Sequence, residues 1–387
     1  MRVLFLVSRL PYPPWRGDQV RAYHQLKQLA GRHEITVCLA GRAPGPSERA
    51  HVEHLGVDLE VIDISAMGAV ARMSRTPLDR RPTQALPFTG RRARRRFAEL
   101  ARSADLIHAQ LIRTGPLLPE EGPPVVVDMI DAMSVNLQRR AMLDRSIRGL
   151  AARREAHRIL RYESRLSRGG VAVVAATVAD AAALGDGVTV VPNGVDLEHF
   201  SFRPGGRDPS TLVFAGNLGY FPNVDAARIA ATEVLPIVLA TLPTASLVLA
   251  GARPSAAIRR LARRHPGVRL VAGPADLGAV VAGAGVAVIP MRAGTGMQNK
   301  VLEAMAVGTP VVATSRAAGA IGAVPGEHLL VGEDPRALAN AALRVLSNFG
   351  EARSMAERAR RLVEERFSWA ASADALERVW QEAVGRG

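Results

Sequence analysis

A glycine-bearing loop running into a helix offers the clearest chemistry in this chain. After an apolar run at 286–289 come Met291, Arg292, Ala293, Gly294, Thr295, Gly296, Met297, Gln298, Asn299 and Lys300. Glycines let backbone amides approach an anion closely, and a helix beginning near Gln298 would turn the positive end of its dipole towards that anion. Lys300 is one of only two lysines among 50 basic residues, the other being Lys27. In an arginine-dominated chain its presence is hard to read as compositional drift. A lysine is a compact cation suited to neutralising a phosphate. Glu303, within the first turns of the same helix, can accept hydrogen bonds from a pair of hydroxyls. The competing reading is an exposed i,i+3 ion pair, worth roughly a few tenths of a kcal/mol.

Three further places carry polar residues at strand ends. His108 follows the short apolar run at 106–107, and a lone histidine there is as well read as a satisfied core residue as a functional one. Asp128 and Asp131, separated by two residues after the run at 125–127, suit a metal pair, an acceptor base or a polar loop contact, of which the loop contact is preferred. Gly216 opens a loop, 216–223, after another apolar run.

The elements that must hold these residues alternate in type. Residues 3–7 predict a strand, Pro11 to Gly17 a loop, and Asp18 a cap for a helix whose stripe is Val20, Tyr23, Leu26 and Ala30 and whose end is Gly31. A second strand at 35–39 completes a βαβ unit. Apolar runs recur at 106–107, 125–127 and 171–174, as expected of parallel strands buried on both faces. After a Pro/Gly-rich stretch at 200–206 a second series begins: strand 212–215, helix 223–240, strand 247–250, helix 255–264, strands 268–271 and 286–289, helix 298–306, strand 311–313. Two successive doubly wound α/β sheets, 1–200 and 205–366, are the economical reading. The terminal helix, 369–387, comes after the second sheet is complete and is expected to pack back on the first domain. Ligands of such sheets bind beyond the carboxyl ends of the strands, so the loops 11–18, 216–223 and 290–299 are the candidates.

Composition narrows the class. At 387 residues, 48% apolar and with mean hydropathy +0.07, the chain has the makeup of a globular protein large enough for two cores. One cysteine, Cys38, excludes a disulfide framework. The apolar start is too short for a signal peptide and no run reaches the ~20 residues of a membrane span, so a cytoplasmic location is expected. The net charge of +14 divides as +8 for residues 1–200 and +6 for 201–387, which argues against a nucleic-acid-binding arm. Arginines do cluster at 91–96 and along 139–168. In the second cluster Ala152, Ala156, Ile159, Leu160 and Leu166 form one predicted helix face, opposite Arg153, Arg154, Arg158, Arg161 and Arg165. Such a helix suits either a solvated face or peripheral contact with an anionic membrane.

The run Gln298-Asn299-Lys300-Val301-Leu302-Glu303-Ala304-Met305-Ala306-Val307-Gly308-Thr309-Pro310-Val311-Val312 resembles the donor-binding motif of glycosyltransferase family 4, a group of retaining GT-B enzymes. Pro192-Asn193-Gly194-Val195-Asp196, Phe214-Ala215-Gly216 and Phe367-Ser368-Trp369 match in the same order, so the resemblance spans essentially the whole chain. Pro222-Asn223-Val224-Asp225-Ala226, Gln298-Asn299-Lys300 and the opening Pro11 to Asp18 are similar to the narrower group found with exopolysaccharide and PEP-CTERM exosortase gene clusters.

The resemblance implies a GT-B fold, two Rossmann-like domains facing an interdomain cleft, and transfer of a sugar from a nucleotide-diphosphate sugar to a saccharide or lipid-linked saccharide acceptor. It implies no cofactor beyond that co-substrate and no metal. Glu303 would bind the donor ribose, and Gly216, Arg292, Gly294, Thr295, Gly296, Met297, Gln298, Asn299 and Lys300 the diphosphate side. Gly17, Asp18, Asp128 and Asp131 would face acceptor or sugar. His108 and Lys300 are the catalytic candidates, His108 through a hydrogen bond to the sugar. Two departures stand out. The family's glutamate eight residues before Glu303 is Thr295 here, and 217–223 lacks the family's Arg/Lys pair. A degenerate GT-B nucleotide-binding partner and a GT-B nucleotide-sugar epimerase therefore stay open. A dinucleotide-dependent oxidoreductase is disfavoured, because no Gly-x-Gly-x-x-Gly follows the first strand.

Overall fold

In this computed structural model the chain divides by its internal contacts into Met1–Pro192 with Trp369–Gly387, and Asn193–Ser368. The structure describes residues 1–386 except 75, 77, 78, 144–146, 169, 170 and 294–296, with backbone alone for 140, 143, 147, 148, 167 and 168.

The first unit is built on seven parallel strands: β1 (Arg2–Val7), β2 (Glu34–Gly41), β3 (Asp58–Asp63), β4 (Leu106–Gln110), β5 (Val125–Ile130), β6 (Ala172–Ala175) and β7 (Val188–Val190). Their order in the sheet is β3-β2-β1-β4-β5-β6-β7. Central strands are covered on both faces, so β1 is buried from Val3 to Val7 and β4 throughout, its His108 and Gln110 included. The order reverses between β1 and β4, so the loops after these two strands flank the place where such sheets bind ligands.

The last helix, Trp369–Gly385, belongs to this unit. Its buried residues Trp369, Ser372, Ala373, Leu376, Val379, Trp380 and Ala383 recur at helical spacing. Trp380 is fully buried in the same cluster as Phe5, Leu26 and Val126. His24 stacks on Trp369 at 4.8 Å, and Arg32 reaches Asp374 and Glu377 at 2.6 and 2.8 Å.

The second unit has six parallel strands: β8 (Asp208–Ala215), β9 (Ser246–Gly251), β10 (Val268–Ala272), β11 (Ala284–Ile289), β12 (Val311–Ala313) and β13 (Leu330–Val331), ordered β10-β9-β8-β11-β12-β13. Its switch point lies between β8 and β11, at the loops that start with Gly216 and Pro290. Residues 200–207 pack onto this unit: Phe200 joins its core, and Arg203 pairs with Asp276 at 2.9 Å.

Several local readings differ from the structure. Asp18 is not the cap of the first helix but lies in the first turn of Gly17–Leu29, and the buried face of that helix is Arg21, Ala22, Gln25, Leu26 and Leu29, sharing only Leu26 with the expected stripe. The single helix expected over 223–240 is Phe221–Ile229, a π-helical turn Ala230–Val234, and Leu235–Thr241. Pro236 has no N–H to donate, and the wider turn shifts the hydrogen-bond ladder to accommodate it. Strand β3 escaped detection because acidic residues punctuate it at an edge. In the basic helix, Ile147–Arg168, Leu160 is 37% exposed while Ile159 is buried. Leu160 therefore lies off the apolar face, and Glu163 takes an inward position instead.

Candidate functional site

Beyond β11, Met291 and Ala293 turn inward and Arg292 outward. Gly294, Thr295 and Gly296 lie outside the described residues. Met297 is buried, Gln298 occupies the N-cap position without a side-chain cap bond, and the helix Asn299–Val307 follows. Gly308 ends it at φ 82, a left-handed position where the absence of a Cβ matters because the Phe202 ring lies against it.

Lys300 and Glu303 are half-buried at the start of this helix. The ammonium of Lys300 donates to Gln298 Oε1 at 2.8 Å. Its Cε lies 3.3 Å from where a Cβ on Gly216 would stand, and Asn223 Nδ2 lies 3.1 Å from the same point. Gly216, at φ 148, donates its N–H to the Ala250 carbonyl at 3.0 Å. Gly251, at φ 143, has the Gly216 carbonyl where its own Cβ would be. Only glycine fits there, so the loops after β8 and β9 close on each other beside Lys300. Asn193 donates from Nδ2 to Asn299 Oδ1 at 3.2 Å, which brings Asn193 to the same helix start.

Burial acts on both charges. It lowers the Lys300 pKa to about 8, with Glu303 opposing, and raises that of Glu303 to about 7, with Lys300 opposing. A cation and a carboxylate thus titrate close to neutrality beside a glycine-lined backbone, an arrangement suited to phosphates and vicinal hydroxyls.

Arg292 is engaged elsewhere: its guanidinium forks onto Asp225 at 3.1 and 2.8 Å. Arg253, after β9, holds a left-handed φ of 51, and its carbonyl lies 2.7 Å from the Cβ position of Gly219. This places the backbone of a cationic residue beside the loop that lacks one. Nothing local to 217–223 signals it, since it arrives from the neighbouring strand.

In the first unit, His108 and Asp128 come together in the core. The imidazole is fully buried and stacks on Phe5 at 4.3 Å. Its Nδ1 accepts the Trp380 Nε1–H at 3.2 Å. That bond assigns the proton of the neutral ring to Nε2, which is 4.0 Å from Asp128 Oδ2. Burial holds the His108 pKa down to about 4; Asp128 opposes this and Arg21 reinforces it. Asp128 closes a fully buried ion pair with Arg21 at 2.6 Å and accepts the Ile130 N–H. Arg21 was not among the residues singled out from the sequence, because it sits at helical spacing among apolar neighbours.

Asp18 stands apart from that pair. It accepts from Arg9 at 2.6 Å, and its carbonyl accepts from Gln110 Nε2 at 2.9 Å. It follows Gly17, an open position. Asp131 lies instead near Arg113 and Glu163. Glu163 is 2% exposed. Burial first raises its pKa, to about 7, although it accepts the Ser134 N–H.

Residues 209–348 match the family model described as glycosyl transferases group 1, a segment that contains Gly216, Lys300 and Glu303. No curated protein matches the sequence. Among solved structures the chain is similar to HepE of Anabaena in complex with UDP and glucose, at 15% identity and TM-score 0.68, over 99% of this chain and 100% of that one. It is also similar to sucrose-phosphate synthase from Thermosynechococcus elongatus, at 18% identity and TM-score 0.75, over 100% of both. A third is a mutant of S. aureus TarM in complex with Fondaparinux, alpha-GlcNAc-glycerol and UDP, at 9% identity and TM-score 0.72, over 98% and 99%. The fold is that of the GT-B glycosyltransferases, two α/β units each on a parallel sheet.

Proposed function

We propose that the chain is a metal-independent glycosyltransferase that moves a sugar from a nucleotide-diphosphate sugar to an acceptor hydroxyl with retention of configuration. The observation carrying this reading is the convergence of Gly216, Gly251, Lys300 and Glu303 at one helix start, inside the segment that matches glycosyl transferases group 1. Solved structures of similar fold hold UDP or UDP-glucose, which makes a uridine nucleotide the first donor to try.

In the proposed step the bond from the anomeric carbon to the diphosphate breaks and one from that carbon to the acceptor oxygen forms. The departing phosphate takes the acceptor's proton. Lys300 and the helix amides hold the charge that accumulates on the leaving group, and Glu303 accepts the ribose hydroxyls. The His108 environment, sealed and neutral, supports a role in holding β4 and Trp380 in place. Direct contact with the sugar would require that cluster to open.

The proposed setting is exopolysaccharide or cell-surface glycan synthesis, with a saccharide or lipid-linked saccharide acceptor and peripheral contact with an anionic membrane. Among the described residues no helix is long and apolar enough to cross a membrane. Met67, Val70, Met73, Met142 and Leu150 are exposed on the first unit. A cavity of about 720 Å³ between Met73, Leu137, Ala152 and Ile159 carries Arg154 and Arg158 on its wall. Exposed apolar and cationic groups together suit a lipid surface.

Thr295, in place of the family's glutamate, favours a second reading as a nucleotide-binding partner without transfer. Calorimetry with UDP, GDP and dTDP, followed by chromatography of UDP-glucose incubated with candidate acceptors, separates the two. Binding with no release of nucleotide under any acceptor would sink the transferase reading; recovery of the donor with a sugar carbon epimerised would replace it with an epimerase.

A further inference from the structure

The helix leaving β5, Met133–Leu143, packs against the basic helix Ile147–Arg168. Between these two, the turn Thr83–Phe88 and the short helix Ala66–Met73 lies the cavity of about 720 Å³, whose apolar wall is Met73, Met133, Leu137, Ala151, Ala152 and Ile159. That volume suits one small ligand, for which pockets run to roughly 300–1,000 Å³. Two of the wall residues are methionines, whose unbranched and polarisable side chains adapt to a partner of no fixed shape.

The short helix has no buried residue. Met67, Val70 and Met73 recur at every third position, so they share one face, and they are 84%, 68% and 42% exposed. Met73 belongs to the cavity wall as well, so an exposed apolar stripe runs into an apolar cavity. Leu150, next to Ala151 of the wall, is exposed too. Apolar surface grouped in this way marks a place where a partner sits.

The charge around the cavity has one sign to spare. Glu155 accepts from the Thr83 N–H and hydroxyl, and Arg158 donates to the Thr76 carbonyl at 2.6 Å. The other carboxylate of the basic helix, Glu163, is buried. Arg154, on the cavity wall, is exposed, as are Arg153 and Arg161 on the same helix. A cationic rim over an apolar cavity is the complement of an amphiphile with an anionic head.

Position selects among such amphiphiles. Met133 stands three residues beyond the end of β5, so the cavity wall starts next to the carboxyl edge of the sheet, where parallel sheets take ligands. A bulk membrane lipid has no need of that edge, whereas a lipid whose head carries the reacting sugar does.

We propose that this cavity holds the hydrocarbon chain of a lipid phosphate that carries the acceptor saccharide, with Arg154 at its phosphate and the Met67–Val70–Met73 stripe against the lipid surface from which the chain comes. This deepens the glycosyltransferase reading and rests on it for the word acceptor; the chain-binding cavity does not.

The test is calorimetric titration of the full chain with geranyl phosphate, farnesyl phosphate, farnesol, dihexanoyl phosphatidylglycerol and inorganic phosphate, each below its aggregation concentration, with UDP in parallel. Each methylene that enters the cavity is worth about fourfold in affinity, so two of the five carbons that farnesyl adds to geranyl already give more than tenfold. Farnesyl phosphate should also bind threefold or more tightly than farnesol and tenfold or more tightly than the phosphatidylglycerol. Ala152→Trp, which fills the cavity, should weaken farnesyl phosphate tenfold or more and leave UDP as in wild type. Arg154→Gln should bring farnesyl phosphate down to the level of farnesol without changing farnesol itself.

Equal affinity for geranyl and farnesyl phosphate overturns the proposal, as does an Ala152→Trp variant that melts normally and binds farnesyl phosphate like wild type. Should Ala152→Trp fail to fold, Ala151→Trp, at an exposed position of the same wall, carries the same expectation. Phosphatidylglycerol binding as tightly as farnesyl phosphate makes the cavity a general membrane contact and removes the acceptor; inorganic phosphate binding as tightly means a surface ion alone. Absence of UDP binding to wild type defeats the glycosyltransferase reading instead, and leaves the chain-length series to stand by itself.

Discussion

Replacing Lys300 by methionine keeps most of the stem's bulk and removes the charge beside Gly216. The lost interaction is a charge-assisted hydrogen bond to a phosphate oxygen, worth about 1.5–3 kcal/mol, or about 10- to 150-fold in affinity. At pH 7 a lysine of pKa about 8 is about nine-tenths cationic; at pH 9 it is about one-tenth cationic. Wild-type affinity for UDP-glucose, whose own phosphates do not titrate in this range, should therefore fall by up to about tenfold, or about 1.4 kcal/mol, between these values. The affinity of Lys300→Met should barely change, so the gap between the two proteins closes as pH rises. Uridine, which carries no phosphate, should bind both alike. Turnover should fall further than affinity, because charge grows on the leaving group in the transition state. Calorimetry with uridine and UDP-glucose at pH 7 and 9, with single-turnover assays at pH 7, reads all of this. Undiminished UDP-glucose affinity of Lys300→Met at pH 7 refutes the assignment, and a gap that stays constant to pH 9 refutes the pKa argument behind it.

Glu303→Gln should cost about 1.5–3 kcal/mol of nucleotide binding at pH 8, equally for UDP and UMP. Wild-type affinity should decline as pH falls through about 7, where the carboxylate protonates, and that decline should vanish in the variant. Glu163 is a stability prediction of known sign. Burial lifts its folded pKa from the ordinary 4.5 to about 7, so its contribution is intact below pH 4.5 and is lost as pH rises through 7. Glu163→Gln should match wild type in unfolding free energy, read by denaturant titration, at the acid end and exceed it by about 3 kcal/mol at pH 8 to 9; equal values at pH 9 would mean the carboxylate is solvated. For the membrane, Arg153, Arg154 and Arg161 are the exposed arginines to reverse to glutamate, since Arg158 donates to the Thr76 carbonyl at 2.6 Å. The triple variant should lose co-sedimentation with anionic vesicles, at about 1 kcal/mol per charge. Equal sedimentation of wild type with neutral and anionic vesicles would return these arginines to a solvated face.

Much of the architecture is written in short-range pattern. Continuous apolar runs at β1, β9 and β11, each followed by a helical pattern, suffice for two parallel sheets, because a strand buried on both faces has no polar side to show. The helix carrying Lys300 and Glu303 was legible for a similar reason. Its glycine-rich approach, its rare lysine and its left-handed Gly308 end are local signals, and loop-to-helix junctions place chemistry within a few residues of those signals.

What the sequence could not express is who meets whom across long chain separations. Arg21 and Asp128 are 107 positions apart and close one buried ion pair, and His108 is 272 positions from the Trp380 that fixes its ring. Periodicity marks a residue as inward-facing but is silent on its partner, so Asp128 read as a loop contact and Arg21 as nothing. Arg292, read as a phosphate partner, turns its Nε and one terminal nitrogen onto Asp225, from a helix 67 positions earlier. Hydrophobic pattern repeats every two or 3.6 residues and so survives in one dimension; charge pairing depends on distances of a few ångströms, and the tertiary structure alone decides those.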